Sequence, residues 1–408
     1  MDLTYSEADQ AFRAEVRDWL AEHLTGDFAA LKGLGGAGRD HEAHEERLAW
    51  NRHLAAHGWT CLGWPTEHGG RGLSLLHQVI FHEEYARADA PARVNHLGEE
   101  LLGPTLIAFG TEEQKRRFLP PIVAVEELWC QGYSEPGAGS DLANVQTKAR
   151  LEGDQWVIDG QKVWTSNAHT SDWIFVVART EPGSQRHHGL SFLLVPVDQP
   201  GVEVRPIEQL TGGSEFNEVF FTGATTAADL VVGEVGRGWG VAMGLLGFER
   251  GVSTLGQVVG FAREYDGVVR LARSNGSIDD PVIADRLARA KVELEVMRVN
   301  ALRGLSAVTG GEDSSAGGGA GSIFKLVWAR WHQELGEIAM AVAGADGLTA
   351  RPNPSGTDAP GSYDLTEWQR LFLFARADSI YGGSDEVQRN ILAERVLGLP
   401  REPKGAGR

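Results

Sequence analysis

The segment Gln131-Gly132-Tyr133-Ser134-Glu135-Pro136-Gly137-Ala138-Gly139-Ser140-Asp141 stands where the periodicity of the chain changes. Its glycines and proline predict a loop that joins a helical region to a first strand. A dinucleotide-binding loop would continue the spacing Gly-x-Gly-x-x-Gly. Leu142 stands where the last of those glycines belongs, so that reading fails.

Before this loop the pattern is helical. Phe12, Val16 and Leu20, then Leu48 and Trp50, recur at helical spacing among charged residues. Ser6 followed by Glu7 and Ala8 predicts a helix start, and residues 76–90 and 111–127 read as further helices. Thr111-Glu112-Glu113-Gln114 has a capping threonine and acids in the first turn. After the loop come short β-branched and aromatic runs: Trp156 to Gly160, Trp173 to Ala178, Ser191 to Val195 and Glu218 to Phe221. They predict an antiparallel β domain ending near Gly236. From Gly238 the helical period returns and persists to about Leu397. It is broken by two stretches that read as connectors, Thr309 to Gly321 and Arg351 to Tyr363. The fold class expected is α+β, mostly α, with domains at 1–127, 128–236 and 237–408.

A chain of 408 residues can bury a large core in two or three domains. Its net charge of −18 argues against broad binding to nucleic acid or anionic membrane, though not against one anionic ligand in a local site. No apolar run approaches the ~20 residues that span a bilayer. The start, Met1 to Glu7, lacks the order of a secretion signal. Cys61 and Cys130 form neither a disulfide framework nor a CxxC pair, which suits a reducing cytoplasm. No metal site is expected. His41-Glu42-Ala43-His44-Glu45-Glu46 has Glu45 where a zinc motif needs histidine and reads as a solvated helix face; His187-His188 reads as surface.

The segment 131–141 resembles the Thr/Ser-Glu-Pro-Gly-Ala-Gly-Ser-Asp pattern of the acyl-CoA dehydrogenases, almost letter for letter. The resemblance runs from Leu3 to Pro400. It implies an N-terminal helical domain, a β domain, a C-terminal four-helix bundle, bound FAD and a homodimer or homotetramer. Gln131, Tyr133, Ser134, Gly139 and Ser140 then fall at the flavin, with Ser140 also near the acyl-CoA pyrophosphate. Glycines there let the backbone approach a large planar ligand. Gln161-Lys162-Val163-Trp164-Thr165-Ser166-Asn167 resembles the family's second flavin motif. Trp164 corresponds to the tryptophan against the isoalloxazine and Ser166 to the hydroxyl at N5. By itself, Trp164 reads equally as a strand tryptophan in the core.

The C-terminal motif departs from the family. Many members carry the catalytic glutamate in Ile-Tyr-Glu-Gly-Thr; this chain has Ile380-Tyr381-Gly382-Gly383-Ser384. In the isovaleryl and long-chain types the base is a glutamate before an arginine on the helix after the β domain, and Glu249-Arg250 matches that pair. The resemblance therefore implies Glu249 as base and leaves the Gly382 N–H as an oxyanion donor. Asp378, Asp385 and Glu386 are the other carboxylates near the loop. Arg273, Ser384 and Glu386 fall at cofactor positions. Asn95, Glu99, Leu246, Arg250 and Tyr381 fall, with Ser140, at substrate positions. Asn95, His96, Glu99 and Glu100 read equally as an acyl-pocket lining or as a cap and an exposed turn.

Two further departures, Arg273-Ser274-Asn275-Gly276-Ser277 and Ala341-Val342-Ala343-Gly344-Ala345-Asp346-Gly347, fall where family subunits meet around FAD. The activity implied is α,β-dehydrogenation of an acyl-CoA, with an electron-transferring flavoprotein as acceptor. Three alternatives stay open: an acyl-carrier-protein thioester as substrate, a flavin oxidase or oxygenase on the same fold, and a non-catalytic partner subunit.

Overall fold

The computed structural model describes residues 5–249, 253–309, 317–349, 351–352 and 363–401; side chains within 248–256, 304–318 and 350–363 are outside the description. The chain divides into two compact units. One comprises residues 11–209 and 213–252, the other 253–408 with the short pieces 1–10 and 210–212.

The first unit holds α1 (Glu7–His23) from Ala11 onward and α2 (His44–Ala56), then α3 (Leu75–Arg87), α4 (Gly103–Phe109) and α5 (Glu112–Val123). The start of α1 is capped reciprocally. The Ser6 hydroxyl accepts from Asp9 N–H at 3.2 Å, and Asp9 Oδ2 accepts from Ser6 N–H at 2.9 Å. Phe12, Val16 and Leu20 are its buried stripe. Thr111 and Gln114 close a capping box on α5. A π-helical turn, Leu97–Leu102, precedes α4. Sequence periodicity did not mark it, because a π turn breaks the 3.6-residue repeat.

The sheet comprises β1 (Trp129–Gly132), β2 (Lys148–Glu152), β3 (Gln155–Ser166), β4 (Trp173–Arg179), β5 (Leu190–Pro196), β6 (Val202–Ile207), β7 (Phe216–Ala227) and β8 (Val231–Val232). Its order is β6-β7-β3-β2-β4-β5-β8, with β1 pairing β4. It is antiparallel, as expected of this domain, except where β1 and β2 meet β4. β1 enters the sheet directly from α5 and lies beside a strand separated from it in sequence, so no hairpin forces the pair antiparallel. β4 and β5 are near-continuous apolar runs, buried on both faces. One core joins Trp64, Phe118, Trp129, Tyr133, Phe175 and Phe192 to Val241, Ala242 and Leu245 of α6 (Gly238–Glu249). The helix after the sheet is thus packed as part of the sheet's unit.

The second unit is helical: α7 (Ser253–Asn275), α8 (Pro281–Thr309), α9 (Gly317–Ala343), α10 (Glu367–Phe374) and α11 (Asp385–Ile391). Its core stacks Phe261, Leu294, Met297, Trp331, Leu335 and Leu371. Helix α9 begins inside the stretch read as a Gly/Ser connector. An added Cβ at Gly319 would meet Val396 at 3.1 Å, so packing there offsets the glycine's poor helix propensity. In the second expected connector, β9 (Arg351–Pro352) pairs with β10 (Tyr363–Asp364).

Candidate functional site

Within the first unit the loop 133–141 is pinned by an ion pair that sequence reading did not assign. Lys162 on β3 is fully buried. Its Nζ donates to the Tyr133 carbonyl at 3.0 Å, to Glu135 Oε1 at 2.8 Å and to the Val177 carbonyl at 2.8 Å. All three ammonium protons are thereby used. Glu135 also accepts from Thr147 N–H at 2.9 Å and Gln146 N–H at 2.6 Å. Burial pushes the Lys162 ammonium down to about 8, against the pull of Glu135. For Glu135, burial works upward, but Lys162 and these hydrogen bonds outweigh it and hold the carboxyl low. The Glu135–Ala138 turn is closed by reciprocal backbone hydrogen bonds of 3.1 and 3.0 Å.

The ring of Tyr133 points inward. It packs edge-on to Phe175 and Phe192, and its hydroxyl donates to the Ala242 carbonyl at 3.4 Å. The Ser134 carbonyl accepts from Val163 N–H at 2.9 Å, tying the loop to the second motif. Gln131 lies half-buried on β1, opposite Phe175. Gly139 and Ser140 are exposed, and a Cβ at Gly137 or Gly139 would meet nothing within 4 Å. The protein's own packing does not demand glycine at those two positions.

Trp164 is not a core residue: it is 60% exposed. Pairing of β3 with β7 shifts register between Lys162 and Thr165, and Trp164 sits in that bulge at φ +61°. A bulky residue in the left-handed region is an outlier, and such backbone strain concentrates at functional sites. The bulge turns the indole outward, edge-on to Phe216 at 6.3 Å. Ser166 follows half-buried, opposite Phe216. The flat exposed ring, the half-buried hydroxyl and the open glycine loop fit a large planar ligand.

Asn95 and Glu99 are buried, which corrects the exposed-turn alternative for them; Glu100 is exposed. Glu99 pairs with Arg93, accepts from Cys61 N–H at 3.1 Å, and its carbonyl accepts from Trp64 Nε1 at 2.9 Å. Asn95 Nδ2 donates to the Ile122 carbonyl at 3.2 Å. Asn95 Oδ1 and Glu99 Oε1 are buried without a hydrogen-bond partner among the described residues. Leu246 is half-buried against the same core as Tyr133. Glu249 is the last residue of α6; its side chain and the whole of Arg250 lie outside the described residues.

In the second unit the loop after α10 rests on a buried network. Asp378 is fully buried. It accepts from Tyr381 Oη at 2.6 Å and pairs with His332 Nδ1 at 2.6 Å, while His332 Nε2 reaches Glu264 at 2.9 Å. Burial opposes charge on His332, but the two carboxylates outweigh it and raise the imidazole to about 10. Asp378 is therefore committed as a counter-ion. Gly382 follows at φ +62° and Gly383 at φ +86°. Their carbonyls accept from Gln388 Nε2 at 3.2 and 3.3 Å. Among the described residues no acceptor pairs with the Gly382 N–H. Ser384 caps α11 through Val387 N–H, and Glu386 is exposed beside Arg389. Arg273 is exposed at the end of α7, and Asn275 donates to the Val342 carbonyl at 2.7 Å.

Three family descriptions match in order: acyl-CoA dehydrogenase N-terminal domain over residues 6–126, middle domain over 130–224 and C-terminal domain over 236–397. The chain is 64% identical over 406 residues to acyl-CoA dehydrogenase IpdE1 of Mycolicibacterium smegmatis, covering 97% of this chain and 99% of that protein. The IpdE1 of Mycobacterium tuberculosis is 64% identical over 399 residues, with the same coverage. Among solved structures, the Tcur3481-Tcur3483 steroid ACAD superposes with a TM-score of 0.83 at 32% identity, covering 98% of this chain and 100% of that one. The ChsE4-ChsE5 complex of Mycobacterium tuberculosis superposes at 0.78 with 30% identity, covering 98% and 100%. The chain belongs to the acyl-CoA dehydrogenase family.

Proposed function

We propose that the protein catalyses FAD-dependent α,β-dehydrogenation of an acyl-CoA thioester to the trans-2-enoyl-CoA, with Glu249 as base. The observation that carries this reading is the loop 133–141, fixed by Lys162 and Glu135 beside the outward-turned indole of Trp164. FAD would be held by the backbone of Gln131, Tyr133, Ser134 and Gly139, by Ser140, Trp164 and Ser166, and by Arg273, Ser384 and Glu386. When bound, FAD supplies the acceptor for the β-hydride. Glu249 takes the α-proton, and the Gly382 N–H donates to the thioester oxygen as negative charge gathers there. Ser140, Leu246, Arg250 and Tyr381 are assigned to the thioester, as are Asn95 and Glu99, whose unmatched buried oxygens suit a polar acyl group. The electron acceptor in this reading is an electron-transferring flavoprotein, and the working segments are 1–127, 128–236 and 237–408.

A steroid ACAD among the similar structures motivates ring-bearing acyl-CoAs in the substrate panel, beside straight and branched chains. The departures at 273–277 and 341–347 fall where the family's subunits meet around FAD, and two of the similar structures are named for pairs of chains. These observations favour a second, different subunit over a homodimer or homotetramer.

The test is anaerobic titration of the purified flavoprotein with that panel, alone and with a co-expressed second subunit. Bleaching of the flavin bands by one acyl-CoA class is the expected result. Glu249→Gln should keep FAD and lose at least a hundredfold in the reduction rate, the lower range for a positioned general base. Near-parental reduction by that variant would overturn the assignment. Bleaching only by carrier-bound thioesters, or fast reoxidation by oxygen, would replace acyl-CoA dehydrogenation with those chemistries. A chain that takes up no flavin even with its partner would be a non-catalytic subunit.

A further inference from the structure

The first unit holds a histidine cluster that the dehydrogenase reading does not use. His23 closes α1, while His53 and His57 lie one helical turn apart at the end of α2. The three rings approach one another closely, with centroids 5.0 Å (His23–His53), 4.8 Å (His23–His57) and 4.4 Å (His53–His57) apart. His23 Nδ1 lies 2.9 Å from His53 Nε2, and one nitrogen from each ring lies within 4.8 Å of the other two. No other such group of histidine, cysteine and carboxylate residues occurs among the described residues.

Three features go beyond simple ring packing. A carbonyl only accepts, so the 2.8 Å contact between His57 Nδ1 and the His53 carbonyl fixes Nδ1 as donor. The lone pair of His57 is thereby assigned to Nε2, in the way a backbone carbonyl orients a metal-ligating histidine from behind. Trp19 stacks on His23 at 4.3 Å and lies 5.8 and 5.5 Å from His53 and His57, while Phe28 packs at 5.2 Å from His53. Burial, and then His57 and His23, hold the His53 imidazole below the ordinary histidine value, which favours the neutral ring that can ligate. Finally, two imidazole nitrogens on a tetrahedral zinc ion stand about 3.3 Å apart, given Zn–N bonds of about 2.0–2.1 Å. The His23–His53 pair is already near that spacing, and the exposed His57 has room to close the third side.

We infer that His23, His53 and His57 form a binding site for a zinc-class divalent transition-metal ion, which clamps the end of α1 to the end of α2. Three neutral nitrogen donors without thiolate or carboxylate suit Zn²⁺, Co²⁺ or Cu²⁺ and not Mg²⁺ or Ca²⁺. The fourth position lies on the exposed His57 side and takes water. On binding, the proton shared between His23 Nδ1 and His53 Nε2 moves to the other nitrogen of its ring, so both facing lone pairs become ligands with no net proton loss.

The test uses full-length tag-free protein, stripped with EDTA, dialysed and titrated with Zn²⁺ and with Co²⁺. One ion per chain is expected, with the visible absorption of tetrahedral Co²⁺. Zinc at about 100 times its dissociation constant should raise the folded-to-unfolded ratio about a hundredfold. His57→Gln, at an exposed ring, should weaken binding at least tenfold, and His23→Gln likewise. A His187→Gln/His188→Gln chain, altered outside the cluster, should bind as the parent does. No stoichiometric binding, or binding that survives in the His23→Gln/His57→Gln chain, overturns the site.

Discussion

Gly382 holds a backbone conformation that the usual glutamate of this loop would adopt only with strain. Its φ of +62° lies in the left-handed region, which costs a residue with a Cβ roughly 1–2 kcal/mol. Gly382→Glu is therefore expected to lower unfolding free energy by about that amount, read from urea denaturation. A variant as stable as the parent would mean the loop has another conformation in solution. The missing carboxylate was legible from the letters alone; the φ that accompanies it was not. Trp164 shows the same division. The motif marked it, but strand alternation was equally consistent with burial, and only the register shift against β7 turns it outward.

At the scale of elements, two buried charge networks hold the two loops that carry the motifs. Lys162→Met would leave the Glu135 carboxylate buried without its partner, and breaking such a pair costs about 3–5 kcal/mol. The variant should melt lower and retain less flavin. Adding Glu135→Gln should recover part of the stability, and a single variant as stable as the parent would remove the pair's anchoring role. In the bundle, His332 titrates near 10 when folded and near 6.5 when unfolded. Its raised value makes the contribution complete below about pH 6.5 and lost as pH rises through 10. Denaturation followed across that range should show the loss in the parent and a flatter profile in His332→Gln. Equal profiles would show that the imidazole is not held charged. Neither network was readable as such. Glu135 and Lys162 are letters of two motifs, and Glu264, His332 and Asp378 come from three distant segments.

At the scale of the molecule, among the described residues, core clusters pack on the sheet and another packs in the bundle. Separate cores favour separate cooperative transitions, since multidomain chains commonly depart from two-state unfolding. Calorimetry of the purified chain should give a calorimetric enthalpy larger than the van't Hoff enthalpy. A ratio of one would mean that the two units unfold together. No helix among the described residues is long and apolar enough to cross a membrane, and Cys61 and Cys130 are both buried and free.

The sequence by itself determined the family, the order of helices, strands and helices, the two motifs that resemble the family's flavin segments and the absence of glutamate at position 382. These depend on local signals: periodicity, capping residues, and letters at fixed spacing. Tertiary structure decided the parallel placement of β1, the packing of α6 with the sheet and the burial of Asn95 and Glu99. It also decided the outward turn of Trp164 and the meeting of His23 with His53 and His57. Each of these depends on which distant segments pack together, and packing is set by burial and pairing energies summed over the whole unit, which no single stretch of sequence contains.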